Sequence, residues 1–134
     1  MVLSIEIKQK LIEAAIQARQ WAYAPYSKYA VGAALLTRSG RIYEGVNVEN
    51  AAYPTTMCAE RVAVFKAVSE GERQFEAIAV VTINGALPCG SCRQVLAEFG
   101  LETWVLIATA EGQLVQETTL GALLPGAFTL SDLV

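Results

Sequence analysis

The chain contains three cysteines, in two short motifs that lie far apart: Cys58-Ala59-Glu60 and Pro88-Cys89-Gly90-Ser91-Cys92. It contains no histidine. If the three thiols act together, residue 58 must be folded against residues 89–92. Both motifs open stretches that read as helices, so this requirement joins two helices across the fold. No other feature constrains the topology as strongly.

Cys89 and Cys92 are three residues apart, on one side of a first helical turn, and can chelate one ion. Cys58 supplies a third sulfur from the other helix. Three thiolates can hold zinc and leave its fourth position open, as a catalytic zinc site requires and a structural one does not. Glu60, two residues after Cys58, is placed to handle protons beside that position. A Cys₃ site, a nearby non-ligating Glu and Pro-Cys-x-x-Cys are the signature of zinc nucleobase deaminases. Helix starts also offer free N–H groups to the sulfurs and a positive dipole end, worth about 0.3–1 kcal/mol. These offset the net negative charge of three thiolates on Zn²⁺. Spacing alone leaves other readings open: ordinary buried thiols, a structural zinc site with a borrowed fourth ligand, or a redox pair. Without the cysteines, Glu60 reads as a helix-start glutamate that favours the dipole.

The 134 residues suffice for one compact domain, 1–134, and the 54% hydrophobic content allows a sizeable core. The net charge of −3, with no basic stripe, argues against a nucleic-acid partner and for a small neutral substrate. No apolar run approaches the ~18 residues of a membrane span, and Met1–Lys10 lacks a signal peptide's apolar region. An odd, clustered set of cysteines suits metal binding in a reducing compartment. The expected location is cytoplasmic.

Periodicity predicts a helix over 5–22 with Ile5, Leu11, Ile12, Ala15, Ile16 and Ala18 facing inward. A hairpin of strands 29–37 and 41–48 follows, turning at Arg38-Ser39-Gly40. Helix Met57–Glu70 carries Val62, Phe65 and Val68 at helical spacing. Next come strand Phe75–Thr82, loop Ile83–Pro88, helix Cys89–Phe99, strand Thr103–Thr109, a strand near 113–118 and a short helix at Leu120–Leu124. Strands alternating with helices point to an α/β sheet covered on both faces.

Beyond the cysteine motifs, four blocks are distinctive: Ala22-Tyr23-Ala24-Pro25-Tyr26-Ser27-Lys28-Tyr29, Val31-Gly32-Ala33-Ala34-Leu35-Leu36, Gly45-Val46-Asn47-Val48-Glu49-Asn50-Ala51, and Leu123-Leu124-Pro125-Gly126-Ala127-Phe128. With Cys58-Ala59-Glu60-Arg61 and Pro88-Cys89-Gly90-Ser91-Cys92-Arg93-Gln94-Val95, in this order over nearly the whole chain, they resemble the small homotetrameric cytidine deaminases. The resemblance implies a cytidine deaminase-like three-layer α/β/α fold with a mixed five-stranded sheet. It implies one Zn²⁺ per subunit on Cys58, Cys89 and Cys92. Glu60 would move protons in the hydrolysis of cytidine and 2′-deoxycytidine, the pyrimidine salvage reaction. It further implies a D2-like homotetramer with active sites shared between subunits. Rival readings are a deaminase of a modified or antibiotic cytosine nucleoside, a polynucleotide-editing deaminase, and a structural-zinc binding module.

Asn47 and Glu49, two apart at a strand end, fall on one face. An amide beside a carboxylate suits a sugar hydroxyl, although a solvated polar strand end has the same local sequence. The family uses the matching pair for the ribose 3′-hydroxyl, and Glu49 would repel a phosphate, favouring nucleosides over nucleotides. The resemblance places the Arg61 side chain against a ligand sulfur, with Arg93 a second candidate, and the Ala59 backbone against the base. Tyr29 stands where the family has Phe; its ring can stack on a base, but its hydroxyl needs a partner or solvent. Tyr53 and Phe128 match aromatics that relatives contribute across subunit interfaces; both also read as plain core residues.

Overall fold

The computed structural model describes residues 3–133. Helix α1 (Ile5–Arg19) starts at Ser4, whose hydroxyl accepts the Ile7 N–H at 3.2 Å. It stops short of residue 22. Trp21 and Ala22 close tight turns onto the carbonyls of Ala18 and Arg19, and the Tyr23 N–H is committed to the Asn47 carbonyl at 2.9 Å. Ile5 is 70% exposed and does not belong to the inner stripe, and Ile16 is half-buried; Leu11, Ile12, Ala15 and Ala18 are buried.

The strands are β1 (Gly32–Thr37), β2 (Ile42–Val46), β3 (Phe75–Thr82), β4 (Trp104–Thr109) and β5 (Leu114–Thr119). They form one mixed sheet in the order β2-β1-β3-β4-β5. Only β3 and β4 run parallel; the other three pairings are antiparallel. The central strands are buried almost throughout, as their unbroken apolar sequences require. Period-two alternation splits them between two cores. Leu35, Ile78, Val80, Val105 and Ile107 point to one face, with residues of α2 (Ala59–Ser69) and α3 (Gly90–Ala97). Ala34, Ala77, Ala79, Val81 and Leu106 point to the other, with α1. The sheet is thus the middle of three layers. The short helix α4 (Leu120–Leu123) follows β5 and packs on α3.

Two segments depart from the sequence-based expectation for reasons that matter to the site. β1 begins at Gly32 rather than 29, because the Asn47 side chain takes over the bonding of residues 29–31: its Nδ2 donates to the Tyr29 carbonyl at 2.8 Å and its Oδ1 accepts the Val31 N–H at 2.9 Å, leaving one long 3.4 Å backbone bond from the Asn47 N–H to the Val31 carbonyl. Helix α2 turns a different face inward from the one predicted. Phe65 is 46% exposed, Val62 and Val68 are half-buried, and the buried residues are Ala59, Glu60, Ala63, Val64 and Ala67. The cause is proximity. A Cβ on Gly45 of β2 would lie 2.3 Å from the Ala59 carbonyl oxygen and 2.6 Å from the Ala63 nitrogen. Only a face of small side chains lets the helix come so near.

Candidate active site

Helices α2 and α3 bring the two cysteine motifs together by their N-termini. Cys58 is the N-cap of α2, Cys89 is the N-cap of α3, and Cys92 lies in the first turn of α3. Among the described residues, the three sulfurs form a group within 4.8 Å of one another. Sγ of Cys89 is 4.0 Å from that of Cys58 and 3.5 Å from that of Cys92. The expected bonds from helix N–H groups to the capping sulfurs are not made: neither Cys58 nor Cys89 caps its helix through its side chain. The donor to sulfur is Arg61, whose Nη2 lies 3.3 Å from Cys58 Sγ. Arg93 does not reach a sulfur; it donates to the carbonyls of Pro88 and Leu123, both at 2.8 Å.

Tetrahedral zinc with Zn–S bonds of ≈2.3 Å sets its sulfurs about 3.8 Å apart. The observed 3.5 and 4.0 Å bracket that value. Arg61 Nε is buried without a hydrogen-bond partner, so the cluster has donor capacity to spare for a full set of thiolates. The residues present fit a zinc ion with three protein ligands.

The sulfurs already share charge unequally. Hydrogen bonding from Cys92, then Arg61, overcomes burial and lowers the Cys58 thiol to about 5. The same bond to Cys58, together with burial and the nearby Glu60 charge, pushes the Cys92 thiol up. Glu60 is 4% exposed. Burial, reinforced by the Cys58 charge, raises its carboxyl to about 7 against partial opposition from its own backbone N–H, Arg61 and Cys92. A carboxyl poised there can take up and release protons at neutral pH.

A cavity of about 250 Å³ opens beside this cluster. Cys58, Ala59, Glu60 and Cys89 line it together with Asn47, Glu49, Tyr29 and Tyr53. Residues 47–49 form a short extended bridge between Tyr23 and Met57. The Val48 N–H donates to the Met57 carbonyl at 2.9 Å and the Glu49 N–H to the Tyr23 carbonyl at 2.8 Å. This bridge puts Asn47 and Glu49 on the same side, next to Cys58. Glu49 is held from several directions. Its Oε1 accepts the N–H groups of Tyr26 and Ser27 at 3.0 and 3.1 Å, and its Oε2 accepts the Ser27 hydroxyl. Burial opposes its ionisation, but these bonds, with one from Tyr53, outweigh it and lower its pKa.

Residues 5–108 match the family model for the cytidine and deoxycytidylate deaminase zinc-binding region. The chain belongs to this deaminase family. It is 53% identical over 129 residues to the cytidine deaminase of Halalkalibacterium halodurans, covering 94% of this chain and 97% of that one. It is 53% identical over 127 residues to the cytidine deaminase of Sporosarcina psychrophila, covering 93% of each. The crystal structure of cytidine deaminase from Burkholderia pseudomallei superposes with a TM-score of 0.87 at 46% identity, over 94% of this chain and 100% of the other.

In this deaminase the cavity brings together most of the residues singled out from sequence. Cys92 and Arg61 do not line it but touch the lining sulfurs of Cys89 and Cys58, whereas Phe128 is 55% exposed, lies outside the cavity of its own chain, and its carbonyl accepts from Gln94 Nε2 at 2.9 Å. Ser27 and Asn84 were not anticipated. Ser27 lies in a block already notable for its sequence, but its bond to Glu49 crosses 22 positions. The Tyr29 hydroxyl finds its partner in the Asn84 side chain, 55 residues away. No helix among the described residues is long and apolar enough to cross a membrane.

Proposed function

We propose that this deaminase, working as one domain over residues 1–134, hydrolyses cytidine and 2′-deoxycytidine to uridine and 2′-deoxyuridine with release of ammonia. The observation that carries this reading is the placement of Glu60. It is a buried carboxyl raised to about 7 that lines a cavity shared with Cys58 and Cys89 of the three-sulfur cluster and with the polar Asn47–Glu49 pair.

Cys58, Cys89 and Cys92 would hold one zinc ion per subunit; when bound, it supplies a Lewis acid that makes water nucleophilic near neutral pH. Arg61 steadies the cluster by donating to Cys58. Glu60 carries protons from the attacking water to ring N3 and then to the leaving amine. Burial favours its neutral form, so it can donate at the same pH at which it accepts. Ala59 and Tyr29 both line the cavity, where the Ala59 backbone would meet the base and the Tyr29 ring would offer it a stacking face. Asn47 spends one N–H and one lone pair on residues 29–31 and keeps one of each. Glu49, ionised and holding the Ser27 hydroxyl on Oε2, stands beside it. Together they can receive a sugar hydroxyl, and the charge disfavours a substrate phosphate.

The exposure of Trp21 at 76%, Phe128 at 55% and Tyr53 at 52% supports a homotetramer in which Phe128 reaches a neighbour's cavity. We place the protein in the cytoplasm, in pyrimidine salvage, with neither a membrane nor a nucleic-acid partner. The test is conversion of cytidine, 2′-deoxycytidine and CMP by zinc-loaded protein, followed by chromatography. Turnover of both nucleosides with CMP inert is expected; CMP turned over as well as cytidine would overturn the role of Glu49.

A further inference from the structure

The wall of the cavity formed by Tyr29 is tied to a loop that nothing in the proposed reaction uses. The Tyr29 hydroxyl donates to Asn84 Oδ1. The same oxygen accepts the Thr82 hydroxyl at 3.2 Å, and Thr82 Oγ1 in turn accepts the Ala86 N–H at 2.9 Å. These bonds form one directed chain: Ala86 N–H to Thr82, Thr82 O–H to Asn84, with Tyr29 O–H closing on the same acceptor. The relay from Ala86 through Thr82 to Asn84 polarises its own members. Ala86 and Leu87 line the cavity, and the segment ends at Cys89.

The loop is held from its other side as well. Gly85 adopts φ +71°, and a Cβ there would sit 2.8 Å from Val115 Cγ2 of β5. The 83–88 segment therefore presses on the sheet edge behind it and hangs on Tyr29 in front. At the opposite anchor, Lys28 takes φ +60°, a left-handed conformation that turns the chain just before Tyr29. The Tyr29 N–H donates to Ser27 Oγ at 3.0 Å, and Ser27 also donates to Glu49. The hydroxyl of Tyr29 thus links the two walls of the cavity, one bearing Glu49 and the other leading to Cys89.

We propose that Tyr29 is a positioning residue whose hydroxyl, through Asn84, straps the loop 83–88, with its cavity-lining Ala86 and Leu87, into its substrate-ready place. The aromatic ring alone would stack on a base equally well; the hydroxyl is what fixes the loop. The strap acts on binding rather than on the proton transfers of Glu60. Its kinetic arm rests on the cytidine reading above, and its structural arm does not.

The test compares zinc-loaded wild type, Tyr29→Phe, Asn84→Ala and the double variant. The first change keeps the ring and its packing, so the fold is retained. One neutral hydrogen bond corresponds to an effect of about 2–10-fold. Peptide amide exchange across 83–88 should quicken by about that factor in each single variant. KM for cytidine should rise by about the same factor, with kcat unchanged. The double variant should be no worse than Asn84→Ala alone, because that change already removes the Tyr29 link together with the Thr82 bond. Unchanged exchange in both single variants would overturn the proposal, as would effects on KM that multiply in the double variant. Failure of zinc-loaded wild type to deaminate cytidine would refute the functional reading instead, and exchange would still decide the strap.

Discussion

Glu60 should weaken the metal-free fold at the pH where the enzyme works. In the folded chain its carboxyl is raised from 4.5 to about 7, chiefly by burial. A carboxyl whose pKa is raised on folding contributes its full stability below the unfolded value and loses it as pH climbs through the folded one. At 1.36 kcal/mol per unit, the rise corresponds to about 3 kcal/mol lost between pH 4.5 and pH 7. Glu60→Gln has nearly the same shape and no charge. Reduced, metal-free Glu60→Gln should match wild type near pH 4 and exceed it by about 3 kcal/mol at pH 8. Urea unfolding at the two pH values, under chelator and reductant, measures the difference directly. Equal stability of the two proteins at pH 8, or a gain from the variant that is the same at both pH values, would refute the argument that burial sets this group's pKa. Zinc loading should abolish most of the gain, because the cation then offsets the carboxylate's charge.

Three further outcomes follow from the geometry. Arg61→Ala removes the donor to Cys58 and should weaken zinc retention by about 10–100-fold in chelator competition. Gly45→Ala drives a methyl group into the α2 backbone; it should destabilise by about 3 kcal/mol in urea melts and lower zinc content, since Cys58 caps that helix. Ser27→Ala removes a donor that holds the Glu49 pKa down; KM should then begin to rise at a higher pH as the pH is lowered, which a pH–KM profile would show.

The metal cluster was readable because chelation demands a spacing, and Cys-x-x-Cys at a helix start meets it without help from the rest of the fold. Asn47 and Glu49 were readable because an extended backbone puts alternate residues on one side, although the bridge through Val48 that holds them extended lies outside β2. The buried face of α2 was misread because large apolar residues at helical spacing pointed to the core; the space beside Gly45 admits only alanines. The helix N–H groups do not reach the sulfurs because an N-cap sulfur need not turn toward its own helix; Cys58 meets Arg61, the residue that the resemblance set against a sulfur. The Tyr29–Asn84 bond depends on a loop conformation set by Gly85 against Val115, which no local pattern encodes. Phe128 lies outside its own chain's cavity, so any part it takes there depends on a second copy.

The central claim is that a three-cysteine zinc site deaminates cytidine only with Glu60 to move its protons. It is tested most directly by following cytidine absorbance and ammonia release with wild type and Glu60→Gln, each shown to carry one zinc per subunit. The account predicts equimolar uridine and ammonia from wild type, and loss of turnover in the variant with its zinc intact. A zinc-loaded wild type without turnover, or a Glu60→Gln variant that keeps wild-type rates, would contradict it.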